Sequence, residues 1–220
     1  MPAQAGLLGV GATAPGQLAV IAGTTTPVQL VTDRPVLDPQ MRTWAGLHAV
    51  PGQYVIESNA GAMGTALEWI ARLLFPEGTD PVASLCAAAG ESTPGANGVV
   101  STVGAQVFNA AAMGLPVDNL TFSSVSTRAG AAGRADVARA VLEGMAYAVR
   151  ANLEQIRETA GTQVEEVWLG GGMSRSARWS QILSDVLGCR LHTSTIPEAS
   201  AMGAALCAAV GLLIYAYLPI

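Results

Sequence analysis

The sequence predicts an α/β domain built on a mixed sheet, and its second half says so most clearly. From Arg134 onward the chain reads helix, strand, glycine turn, helix, strand, helix, the order of a layered α/β domain. Near the start, residues 17–32 read as two β-branched runs around Gly23 to Pro27, the pattern of a β-hairpin. Composition agrees: half the residues are hydrophobic, 12% are charged, and Ala and Gly are abundant. Small side chains let helices and strands approach closely, and 220 residues are ample for a sizeable core.

Each element follows from local pattern. Asp33 to Gln40, with two prolines, reads as a loop, and Tyr54 to Glu57 as a further strand. Met63 to Leu74 places Leu67, Ile70, Leu73 and Leu74 at helical spacing, with Pro76 just beyond. Residues 76–98 carry Gly, Pro, Ser and Asn in quantity and read as a long connection; periodicity stays weak to about Phe122. Arg134 to Thr159 is the strongest helix, with Val137, Val141, Met145, Val149 and Ile156 on one face and Gly161 as its C-cap. Val164 to Leu169 reads as a strand running into Gly170-Gly171-Gly172. Trp179, Ile182, Leu183, Val186 and Leu187 mark the next helix, Arg190 to Thr195 a strand, and Glu198 the start of the last helix.

Several functions are excluded. Net charge is −5 and the eleven arginines are scattered, so no nucleic-acid footprint is expected. There is no lysine, which rules out a Walker A loop. Cys86, Cys189 and Cys207 show no CxxC spacing and only His48 and His192 could help them, so no metal site is expected; reduced, buried thiols in a cytoplasmic protein are. Met1 to Leu8 lacks the basic start of a signal peptide. Ala199 to Ile220 has no charge over 22 positions, long enough for a bilayer, but Ser200, Gly203, Gly211 and Pro219 interrupt it. No basic residue flanks it, so a buried helix rather than a membrane span is expected.

Two segments carry candidate chemistry. In Leu169 to Ser176 a strand delivers the chain to a glycine turn and a helix begins at once. Glycines admit a flat or anionic ligand close to the backbone, and the helix N-terminus offers free N–H groups. Gly23-Thr24-Thr25-Thr26 sits in a hairpin turn, where backbone N–H groups and hydroxyls can hold phosphate oxygens without lysine.

Together, and in this order, these segments resemble the C-terminal domain of the FGGY carbohydrate kinases, the xylulokinase- and ribulokinase-like sugar kinases. PGQLAVIAGTTTPVQ resembles the family's phosphate-binding hairpin. ADVARAVLEGMAYAVRANLE resembles its long helix, with Arg139, Ala140 and Glu143 as the Arg-Ala-x-x-Glu core. VWLGGGMSRSARWSQILSDVLG resembles its adenine-binding strand, turn and helix, and IPEASAMGAALCAAVG its closing helix. The resemblance covers about residues 4–212. It implies a ribonuclease-H-like fold, related to actin and hexokinase and incomplete at both ends, with residues 1–220 forming the nucleotide-binding half. It implies ATP and Mg²⁺ as cofactors, bound through Gly23, Thr24 and Thr25 and through Gly171, Gly172, Met173 and Ser176. Sugar or polyol would be held with an N-terminal half that the resemblance does not include.

The departures are specific. Laying Gly6 to Gly11 on a glycine-rich strand end of the family puts the position of its catalytic Asp at Pro2, which cannot accept a proton. No catalytic residue is therefore assigned, and the chain is expected to be inactive alone; a stand-alone nucleotide-binding remnant is the alternative. Phe122 to Gly130 departs from the family's glycine-rich run, so no adenine contacts are assigned there. Asp33 and Asp38 are expected to be solvated loop residues, Glu57 and Glu68 to have no special role, and His48 and His192 to lie at the surface or its boundary. An unpaired half would expose an apolar cleft face, from which self-association is expected.

Overall fold

The computed structural model describes residues 2–112, 120–125, 132–194, 196 and 198–214. In chain order these form α1 (Pro2–Gly9), β1 (Leu18–Ile21), β2 (Pro27–Thr32), β3 (Trp44–Leu47), β4 (Tyr54–Asn59), α2 (Met63–Leu74), α3 (Pro81–Ala89), β5 (Val100–Ser101) and β6 (Phe122–Ser123). There follow α4 (Arg134–Ala160), β7 (Glu166–Gly170), α5 (Ala177–Leu187), β8 (Arg190–Thr193) and α6 (Ala199–Gly211). Six strands make the main sheet in the order β3-β4-β2-β1-β7-β8, and β5 pairs with β6. Each neighbouring pair among the first four is antiparallel, whereas β1, β7 and β8 run parallel. The mixed sheet is as the sequence predicts.

Side-chain alternation along the strands divides the core between two faces. Leu18, Val20, Val28, Leu30 and Ile56 pack against α4 and α5, whose Met145, Val149, Leu153, Ile156 and Trp179 are fully buried. On the opposite face Ala19, Ile21, Val31 and Val55 meet Leu7 of α1. Asn152 of α4 is fully buried and fully used. Its amide nitrogen donates to the carbonyls of Gln106 and Ala148, both at 2.7 Å, while its oxygen accepts from Ser58 Oγ at 2.5 Å and the Phe108 N–H at 3.0 Å. The loop at 106–108 is thereby fixed over the sheet.

The start of the chain is a helix, not the expected strand end: α1 runs antiparallel against α6, so that a Cβ on Gly9 would lie 1.8 Å from the Ala199 carbonyl oxygen and one on Gly203 1.8 Å from that of Ala5. Only backbone fits at either crossing. The expected buried C-terminal helix also needs correction, since within α6 only Ala199 and Gly203 are buried and Cys207 is exposed. No helix among the described residues is long and apolar enough to cross a membrane. Inside the long connection the structure places α3, capped by Asp80, whose side chain accepts the Ala83 N–H, with Pro81 at its first turn. Residues 126–130 of the departing run, the side chain of Pro2 and the terminal residues 215–220 lie outside the described residues.

Candidate functional site

β1 and β7 are parallel neighbours, with Ile21 opposite Gly170, so they deliver their turns side by side. The Ala22 N–H donates to the Gly170 carbonyl at 2.8 Å, and the Met173 N–H donates to the Ala22 carbonyl at 3.1 Å. Two segments about two thirds of the chain apart are thus stitched by backbone bonds. Gly171 has φ +89°, and a Cβ there would meet the Ala22 carbonyl oxygen at 2.5 Å. Only glycine fits that position. The hairpin turn is held from its other side as well: Gly64, in the first turn of α2, donates its N–H to the Gly23 carbonyl at 3.1 Å. A Cβ on Gly64 would sit 2.3 Å from that oxygen. Gly64 was not legible as a site residue; the Gly-Ala-Met-Gly run opening α2 is the one signal that marks it.

Within this frame the sequence-predicted residues divide by what they face. Thr24, Thr25 and Gly172 are exposed, and Gly23 is half-buried beside them. Around Gly172 the nearest atom to a built Cβ is Arg175 Nη2, 3.6 Å away, so its surface is open. Met173 is buried beneath the turn. Ser176 caps α5, its Oγ accepting the Trp179 N–H at 3.2 Å, and its own N–H donates to the Met173 carbonyl at 3.0 Å. The Ser176 hydroxyl also bonds the buried Cys86 thiol, which draws that thiol's pKa back against the upward push of burial. Exposed Arg175 and Arg178 stand at the α5 N-terminus, where free N–H groups and the helix dipole already favour an anion. Two open turns and a positive helix end can cradle phosphate and a flat ring without lysine.

Among the described residues no group of three or more His, Cys, Asp and Glu is placed to hold a metal ion. The other candidates go elsewhere. Asp33 is an exposed loop residue, as expected, whereas Asp38 is buried: both its oxygens take bonds from Arg42, whose guanidinium holds the carboxyl below its usual range. Glu68 reaches Arg72 at 4.0 Å on the exposed side of α2. Glu57 has a role the sequence did not mark: it accepts from Gln29 Nε2 at 2.6 Å, and burial pushes its carboxyl up. His48 is buried, its Nδ1 accepting the Val50 N–H, and desolvation holds its pKa down. His192 stacks on Trp168 and reaches Glu166 at 3.1 Å.

A concavity of about 1290 Å³ lies between α1, α6 and β3 rather than at the glycine turns. Alanines from α1, β3 and α6 line it with Trp44, Leu47 and Val55, and Gln4, His48, Glu57 and Ser200 are its polar lining residues. It offers few groups for phosphate, so the paired turns remain the candidate site.

Comparisons with known proteins now bear on this geometry. The profile of the FGGY family of carbohydrate kinases, C-terminal domain, matches residues 18–212. The chain is 31% identical over 218 residues to autoinducer-2 kinase of Salmonella paratyphi A, covering 95% of this chain and 40% of that protein. Among solved structures it is similar to xylulose kinase from Rhodospirillum rubrum, at 30% identity and TM-score 0.77 over 95% of this chain and 41% of that one. Glycerol kinase of Plasmodium falciparum, solved with ADP, shares the fold at TM-score 0.76 but only 16% identity, over 97% of this chain and 42% of that one. The fold is that of the actin- and hexokinase-like sugar kinases, and the chain spans about 40% of the length of the relatives it matches.

Proposed function

The chain belongs to the FGGY family of carbohydrate kinases, matching its C-terminal domain, and on that premise we propose that it is the nucleotide-holding half of an ATP-dependent sugar kinase. The observation that carries this reading is the stitching of the two glycine turns through Ala22 and Met173. It presents Gly23, Thr24 and Thr25 beside the Gly172 surface and the α5 N-terminus. In this reading the N–H groups and hydroxyls of Thr24 and Thr25 hold the phosphates beside Gly23, whose own N–H closes the turn onto the Thr25 carbonyl, and the adenine lies on Gly171 and Gly172. Ser176 lines the turn and caps the α5 N-terminus, and Met173 supports the floor. Bound Mg²⁺ would supply charge neutralisation of the phosphates.

Transfer itself needs more than this domain. Phosphoryl transfer is mostly positioning, plus a carboxylate that orients the attacking hydroxyl. The carboxylate position falls on Pro2 by resemblance, and the sugar would be held with an N-terminal half. The domain is therefore inactive alone toward any sugar or polyol. A second reading, a nucleotide-binding remnant without transfer activity, is favoured by Pro2 itself.

Titration calorimetry with ADP and Mg²⁺ tests the binding reading. Weak binding is expected, because a ligand left half-solvated offsets its ordering cost poorly; it should vanish in Gly172→Val with helix content unchanged. No heat at millimolar ADP on folded protein, or full binding by Gly172→Val, would overturn it. A coupled ADP-release assay over pentoses, hexoses and polyols, with and without a kinase N-terminal half, separates the two readings. Turnover only with that half supports the first, and none in either case the second.

A further inference from the structure

The two edges of the main sheet are built differently. β8 is guarded by charge: exposed Arg190 pairs with Glu166 at 2.7 Å, and His192 reaches the same carboxylate at 3.1 Å. β3, the other edge, reads Trp-Ala-Gly-Leu and carries neither a charge nor a proline. Trp44 is 49% exposed and Leu47 73%, with Leu37 and Met41 exposed in the loop before them. Charged residues and prolines are the usual safeguards of a sheet edge, and an apolar edge without them pairs with another strand.

The hydrogen-bond register fixes which groups are free. His48 donates its N–H to the Gln53 carbonyl, and Trp44 and Gly46 stand opposite Glu57 and Val55. In an antiparallel ladder the bonded residues alternate, so Trp44, Gly46 and His48 bond to β4. Ala45 and Leu47 therefore turn their N–H and C=O groups outward, two donors and two acceptors in equal number. Such a set is self-complementary about a two-fold axis. Gly46 lies midway between them. Nothing among the described residues requires glycine there: its φ is not positive, and the nearest atom to a built Cβ is Gln4 Nε2 at 3.9 Å. A glycine inside a strand often marks the close approach of another backbone.

We propose that β3 is a homodimer interface, in which the β3 strands of two copies of this chain pair antiparallel about a two-fold axis at Gly46. The register follows from the free groups: Ala45 of each copy bonds to Leu47 of the other, and Gly46 faces Gly46 as a non-bonded pair. Trp44 of one copy lies opposite His48 of the other. The main sheet becomes continuous through both copies, and Leu37 and Met41 flank the seam. The paired strands are short, so the dimer is weak and its population follows concentration.

Sedimentation equilibrium across a concentration series, on the 220-residue chain, reads the association. The expected result is a monomer–dimer equilibrium that Leu47→Lys weakens at least about tenfold, the scale of a lost interface anchor, with thermal stability unchanged. Leu73→Lys, on exposed α2 surface, leaves it intact. The register has its own test. Non-bonded antiparallel pairs bring Cα atoms within disulfide reach, and Gly46 has room for a side chain. In a Cys207→Ala background, Gly46→Cys should form a reducible covalent dimer on mild oxidation and Leu73→Cys should not. A monomer at every concentration, a dimer indifferent to Leu47→Lys, or no covalent dimer from Gly46→Cys would each overturn the proposal.

Discussion

Met173 gives its backbone N–H to the carbonyl of Ala22 at 3.1 Å while its side chain is buried below, so the turn after β7 is anchored at both ends of one residue. The geometry around this bond separates two neighbouring glycines. Gly171 is needed by the fold and Gly172 by the ligand. Gly171→Ala forces a Cβ against the Ala22 carbonyl at a φ of +89° and should destabilise by about 2 kcal/mol or more. Gly172→Val should shift stability by less than about 0.5 kcal/mol, the range of open surface changes. Urea denaturation of both variants checks the contrast.

A buried ion pair gives a second prediction. Arg139 and Glu143 on α4 are each almost fully buried and bonded at 2.6 Å. Glu143 also accepts the Gly95 N–H at 3.0 Å, and Arg139 donates to the Ser92 carbonyl at 3.0 Å. The pair thus ties the 92–95 loop to the long helix. Glu143→Ala strands the guanidinium and should cost about 3–5 kcal/mol. Replacing both with Met and Leu should recover much of that loss, as read by denaturant midpoint.

Acid lability should centre on Asp38. Its folded-state carboxyl is held low, first by the Arg42 side-chain bond and then by the Gln40 and Arg42 N–H groups, against the opposing effect of burial. A depressed folded value means the contribution is complete above the unfolded value, about 3.9, and is lost as pH falls through the folded one. Asp38→Asn should lower the melting temperature at pH 7 and flatten the decline below pH 4 or so. Melting curves across pH decide it.

Glu57 should behave in the opposite sense. Burial raises its folded-state value and the Gln29 bond only partly offsets this. Its contribution is therefore greatest below the unfolded value, about 4.3, and is lost as pH rises through the folded one. Glu57→Gln, which keeps an oxygen for Gln29, should melt higher than the parent at neutral pH. The two curves should converge toward pH 4 or so.

The legible parts of the sequence were those whose neighbours impose a period. α5 buries one face, α4 carries Val141, Met145 and Val149 at helical spacing, and β1 and β2, covered on both faces, show as two apolar runs around Gly23 to Pro27. α3 hid because its Ala-rich run has no polar face to set against an apolar one, although Asp80-Pro81 was a start signal. β3 hid because it is four residues long, contains a glycine and leaves its side chains exposed. α1 read as a glycine-rich strand end because its glycines answer to α6, a partner most of the chain away. Asp38 read as solvated because the Arg42 that buries it contributes through geometry, not pattern. At the site, the glycines and threonines were readable by type, but their joining through Ala22 was not, since backbone bonds leave no residue signature.

The crossing of α1 with α6 sets an order of events in synthesis. These are the first and last helices of the described chain, and they pack together more extensively than any other pair of elements. A nascent chain released only as far as β8 has translated α1 long before its partner exists. Until Gly203 clears the ribosome, that helix has the sheet face alone to lie on, and contacts of such long range form late. Whatever a longer polypeptide carries ahead of α1 would accordingly stay loosely attached to this domain until α6 has been translated.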